Sequence, residues 1–113
     1  MRVLVCGGRN FQDQAYLYKM LNAEHKRINI TLLIEGGANG ADSLARTWAI
    51  ERGIPYETHR AKWKEYGKAA GSVRNSVMLK VGLPELVIAF PGGVGTADML
   101  YKAKMAGIPC IQF

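Results

Sequence analysis

The sequence predicts an α/β fold: five parallel strands in one doubly wound sheet, order 3-2-1-4-5, with helices on both faces. Two observations carry this. Short apolar, β-branched runs alternate along the chain with segments of helical periodicity. Three of the runs also end in glycine-rich turns, as tight strand-to-helix connections do.

Five runs read as strands: "RVLVC" (2–6), "ITLLIE" (30–35), "PYETH" (55–59), "LVIAF" (86–90) and "PCIQF" (109–113). The first, second and fourth are almost continuously hydrophobic, which is the mark of a parallel strand covered on both faces. Four helices lie between them. Residues 13–27 place Leu17, Met20, Leu21, Glu24 and then Ile28 on one side. Residues 41–52 align Ala41, Leu44, Ala45, Trp48 and Ala49 at spacings of three and four, and Gly53 supplies a stop. Residues 70–81 form a third helix, ended by "GLP". Residues 97–106 form the last, with Thr96 as N-cap and Gly107 as stop.

The chain has 113 residues and is 49% hydrophobic, which fits one domain over residues 1–113. A chain this small buries a modest fraction of its surface, so a homodimer or larger homo-oligomer is expected. The net charge of +6 favours an anionic partner. The basic residues are spread out, with no run of five, which argues against a nucleic-acid tail. Cys6 and Cys110 sit in apolar segments and read as reduced core thiols of a cytoplasmic protein. No CxxC or Cys/His cluster points to a metal, and no cofactor is called for. The apolar start "MRVLVCGG" is too short for a signal peptide, and no segment has the length of a membrane span.

The glycines carry the functional signal. Gly7, Gly8, Arg9 and Asn10 follow strand 1. Gly36, Gly37, Ala38, Gly40, Ala41 and Asp42 follow strand 2. Pro91, Gly92, Gly93, Val94, Gly95 and Thr96 follow strand 4. In a 3-2-1-4-5 sheet these strands are neighbours, so the loops meet at the carboxyl edge, where open α/β sheets take their ligands. Each loop alone is explained by a tight turn. Together they describe a cradle in which backbone N–H groups approach a phosphate and a helix N-terminus faces it. No GK[ST] or GxGxxG pattern is present.

Arg9 is placed to grip a phosphate, or is a surface arginine. Asp42 and Asp98 stand in first helical turns, where acids are favoured anyway. Two carboxylates would repel a phosphate, so a ligand role for them lies with sugar or base. The basic segment 60–79 carries Trp63, Tyr66, Arg74 and Asn75. It reads either as a surface loop or as a cover that stacks an aromatic ring on a base. His25 and His59 read as surface or satisfied residues.

Three motifs, "GGANGADSLARTWA", "AGSVRN" followed by "ML", and "FPGGVGTADM", resemble the YspA-like branch of the SLOG superfamily, which joins the SMF/DprA and LOG proteins. The resemblance runs from "CGGRNF" to the last helix. It implies a Rossmann-like fold that recognises nucleotides or nucleotide-derived ligands; some SLOG domains read nucleotide signals in conflicts between bacteria and phages. The related LOG enzymes are phosphoribohydrolases with the signature PGGxGTxxE and an upstream Arg. Here Met99 stands in the place of that Glu, and Arg74 matches the Arg. Cleavage of a glycosidic bond needs a carboxylate near the anomeric carbon. Asp98 is next to the vacated position but turned by about 100° around the helix; Glu35 is a second source. Three readings follow. The first is a binding module that senses, carries or sequesters a nucleotide-derived small molecule. The second is a hydrolase of a nucleotide N-glycosidic bond, with Arg74 positioning phosphate and Asp98 or Asp42 as the carboxylate. The third, by analogy with the DprA relatives, is single-stranded DNA binding, which the absence of a basic tail disfavours.

Overall fold

A computed structural model describes residues 1–113. The sheet contains β1 (Arg2–Cys6), β2 (Leu32–Glu35), β3 (Tyr56–Thr58), β4 (Leu86–Ala89) and β5 (Cys110–Gln112). Its order is β3-β2-β1-β4-β5, and all four pairings are parallel. This is the expected Rossmann-like topology, with the switch point between β1 and β4.

Alternation along β1 builds both halves of the core. Val3 and Val5 face one side, Leu4 and Cys6 the other, and all four are buried. The first side is closed by α1 (Gln14–Ile28) through Leu17 and Leu21, and by α2 (Ala41–Arg52) through Ala41, Ala45, Trp48 and Ala49. The second is closed by α4 (Ala70–Gly82) and α5 (Val94–Met105), through Met78, Met99 and Ala103. Trp48 is completely buried in the first core, and its indole N–H donates to Asn22 Oδ1 at 2.8 Å.

The structure shifts several boundaries. The second strand begins at Leu32 rather than residue 30, because Ile30 N–H donates to His25 Nδ1 at 3.0 Å and Thr31 N–H to Met1 O at 2.9 Å. His25 is thereby satisfied, and His59 pairs with Glu57 at 3.0 Å. The last helix begins at Val94, three residues before the expected start. Its first turn closes when Ala97 N–H donates to Gly93 O at 3.0 Å, so Gly93 caps it and Thr96 lies inside it. The segment 60–69 is not a plain loop. It folds as α3 (Trp63–Tyr66) and a 3-10 turn over Gly67–Ala69, and neither buries a residue. Cys110 is exposed, not a core thiol, because β5 is an edge strand.

The three glycine loops are sewn together at the carboxyl edge. Gly8 N–H donates to Pro91 O at 2.8 Å, and Gly8 O accepts from Ala41 N–H at 3.1 Å. At Gly40 backbone meets backbone. Its φ is +76°, and a Cβ there would stand 2.6 Å from Arg9 O and 2.7 Å from Arg9 C. Gly40→Ala is therefore expected to cost about 3 kcal/mol, from the left-handed backbone and the forced contact together. Gly53→Ala, at φ +68° with nothing within 4 Å, carries only the first cost. Thermal melts should show a drop of about 10 °C or more for the first and clearly less for the second. Equal melting temperatures would contradict this account of the loop junction.

Candidate functional site

A cleft of about 610 Å³ opens where the loops meet, between the ends of β1, α2, α4 and α5 and the α3 segment. Of the residues singled out in the sequence, Gly7, Gly8, Arg9, Ala38, Asp42, Arg74, Asn75, Gly93, Val94, Gly95, Thr96 and Asp98 line it. Asn10, Gly36, Gly37, Gly40, Ala41, Pro91 and Gly92 do not. Gly36 and Ala41 are buried, Gly37 and Gly40 are half-buried, and Asn10, Pro91 and Gly92 are exposed outside the cleft. Arg74 Nη1 donates to Gly36 O, and Gly92 packs against Thr96 and Gly8. Thus the glycines divide into two groups. Gly7, Gly8, Gly40 and Gly92 are small because protein fills the space; Gly93 and Gly95 have nothing within 4 Å of a built Cβ.

Those two flank the start of α5. The helix has no side-chain cap, and the N–H groups of Val94, Gly95 and Thr96 find no acceptor in the chain. Free N–H groups and the helix dipole together give this end a partial positive charge. Asn75, nearly fully buried, braces it: Nδ2 donates to Gly95 O at 3.1 Å and to Asp98 Oδ2 at 3.0 Å, and Oδ1 accepts from Arg74 Nε at 3.0 Å. Arg74 is thus held from two sides, by Asn75 and by the Gly36 carbonyl. Burial lowers its pKa, and Asp42 opposes that shift.

The acids differ in their surroundings. Asp42 is 6% exposed, and its Oδ2 accepts from Ala38 N–H at 3.2 Å. Burial, reinforced by the charge of Glu35, pushes its pKa up to about 6 against the pull of Arg74 and of the Ala38 and Gly36 N–H groups. A cleft carboxylate whose pKa lies near 6 suits proton exchange or hydrogen bonding to a ligand hydroxyl. Asp98 is a tie between helices. It accepts from Asn75, from Ser72 Oγ at 3.3 Å and from Lys102 Nζ at 3.2 Å. Glu35 is fully buried away from the cleft, bound by Gly37 N–H at 2.7 Å and by the Thr58 hydroxyl, with Arg46 at 3.9 Å. Met99 packs in the core with Leu4, Cys6 and Val87 and does not reach the cleft. No group of three or more His, Cys, Asp or Glu side chains is arranged to hold a metal.

Trp63 and Lys68, from the α3 segment, complete the cleft, as do Gly71 and Ser72 at the start of α4. Gly71 and Ser72 belong to the "AGSVRN" motif, but their place on the cleft follows only from how α4 enters. Cys6 lies at the floor. Burial drives its thiol up to about 12, so it is inert at neutral pH.

Fold and cleft together define a Rossmann-like α/β module whose glycine-rich loops converge at the switch point of the sheet. The chain belongs to the YspA, cpYpsA-related SLOG family (YAcAr), whose profile matches residues 1–66. The Gene 61 protein of Mycobacterium phage D29 is 38% identical over 120 residues, covering 99% of this chain and 95% of that protein. Among solved structures, DNA processing protein A (DprA) from Streptococcus pneumoniae superposes with a TM-score of 0.61 at 17% identity, over 97% of this chain. That likeness is one of fold, and it spans 58% of the longer DprA chain. No helix is long and apolar enough to cross a membrane.

Proposed function

We propose that the protein binds a nucleotide or nucleotide-derived ligand, with a phosphate on the N-terminus of α5 and the rest of the ligand in the cleft. The observation that carries this is the start of α5. Three unpartnered N–H groups and two glycines with open side-chain space face a cleft that also holds Arg9, Lys68 and Arg74. A helix start of this kind is a natural anion site. Membership of the SLOG family supports a nucleotide as the anion. Asp42, inside the same cleft, is suited to a ribose hydroxyl rather than to a phosphate.

Binding without hydrolysis is the reading the carboxylates favour. Asp98 is held by Asn75, Ser72 and Lys102, and position 99 belongs to the core. Asp42 is the remaining cleft carboxylate. The name of the DprA neighbour raises DNA, but the concave shape of this cleft fits a small molecule better than a strand.

Arg74→Ala tests the reading. Adenosine monophosphate should bind about 10-fold or more weaker, because a charged hydrogen bond is lost, while adenosine should change little. Isothermal titration of both ligands measures the difference. An equal loss for both would show that Arg74 only shapes the fold.

A further inference from the structure

The cleft contains an aromatic group that the phosphate does not need. The chain has two tryptophans, with opposite fates. Trp48 is fully buried, whereas Trp63 is 46% exposed on the cleft wall. A tryptophan left in water gives up the burial that normally repays its size.

Its mounting is also unusual. Trp63 opens a four-residue helix that buries nothing, in a segment where Arg60, Lys62, Lys64 and Lys68 face the single acid Glu65. Gly71 and Arg9 are neighbours of the ring from other segments. A Cβ at Gly71 would lie 3.6 Å from Trp63 Cη2, an ordinary contact, so the edge of the ring sits over the start of α4. From the first loop, the Arg9 guanidinium lies 4.8 Å from the ring centroid. Neither Arg9 nor Lys68 has a carboxylate partner. A flat, half-exposed ring with the unpaired Arg9 guanidinium against it, in the cleft that also holds Lys68 and the α5 N-terminus, is built to take a π-system attached to an anion.

The geometry points to Trp63 as the residue that reads the base, so that the cleft selects nucleotides over sugar phosphates by stacking, with Arg9 sharing the stack. This rests on the proposed nucleotide reading with its phosphate at α5, and adds the residue that recognises the base. The ligand carries an aromatic base as well as a phosphate. Stacking is indifferent to which base is presented, so purines exceed pyrimidines only by ring area.

The test compares adenosine monophosphate with ribose 5-phosphate, titrated calorimetrically into the wild type, Trp63→Ala, Trp63→Phe and Gly93→Val. Trp48 remains in every variant, and its buried emission reports the fold. The wild type should prefer the nucleotide by about 10-fold or more, Trp63→Ala should lose most of that preference, and Trp63→Phe should keep most of it. Ribose 5-phosphate should bind Trp63→Ala as it binds the wild type. Equal wild-type affinity for the two ligands, or an equal fall for both in Trp63→Ala, overturns the stacking role. If Gly93→Val still abolishes binding in that case, the phosphate site stands by itself. Binding unaffected by Gly93→Val, or no binding of either ligand to the wild type, removes the phosphate site and the stacking proposal with it.

Discussion

Gly93→Val is expected to weaken binding of a phosphorylated nucleotide by about 100-fold or more while leaving the protein folded. The reasoning is geometric. A Cβ at position 93 meets no protein atom within 4 Å, so the new side chain has room. That room is the cleft in front of the α5 N–H groups. A valine there holds a phosphate away from the N–H donors. Losing two hydrogen bonds to a charged group removes about 3 kcal/mol or more, which is two decades in affinity. Gly95→Ala is the finer version. Position 95 lies inside α5, where alanine is favoured over glycine by about 0.5–1 kcal/mol. This variant should melt slightly higher and bind more weakly. Such opposition marks a glycine kept for the ligand rather than for the fold. Unchanged affinity in a folded Gly93→Val protein would contradict the cradle.

Asp42→Asn is expected to stabilise the protein, by an amount that depends on pH. The native pKa is raised by burial from 3.8 to about 6. The native state therefore holds its proton more tightly than the unfolded chain does. A group shifted in this direction favours folding fully below the unfolded value and loses that contribution as pH rises through the native value. The variant and the wild type should be nearly equal in stability below pH 4. The variant should gain between pH 4 and 6, then level off at about 2–3 kcal/mol near pH 7. Asparagine keeps an oxygen for the Ala38 N–H, so that bond survives. Denaturant melts across this range measure the difference. A gap that stays flat with pH would show that burial does not raise the Asp42 pKa. The same substitution should weaken binding of ribose-bearing ligands and spare inorganic phosphate. A buried carboxylate that destabilises the fold while lining a cleft is the pattern of a functional group.

Much of the architecture was legible because period and punctuation agree along the chain. The alternation of apolar runs with helical stripes fixes a parallel sheet, and the glycine loops after β1, β2 and β4 become neighbours once the strand order is known. Asp42 was legible as a first-turn acid, but its burial depends on how α2 seats against the Gly36–Ala38 backbone. Thr96 resembles an N-cap, whereas the Gly93 carbonyl already closes the turn, so α5 starts before its sequence signal. Cys110 was misread because an edge strand and a central strand share the same apolar composition. The tie of Asp98 to Asn75 and Lys102 is a contact between two helices, which spacing along either one does not reveal. Trp63 was visible as an aromatic residue in a basic segment, and its seat beside Arg9 and Gly71 came only with the fold.

The central claim is that backbone N–H groups at the head of α5 receive the phosphate. Amide chemical shifts report this directly. Saturating isotopically labelled protein with adenosine monophosphate should move the resonances of Val94, Gly95 and Thr96 most, and inorganic phosphate should move the same three in the same direction. Binding that leaves these amides in place would contradict the account.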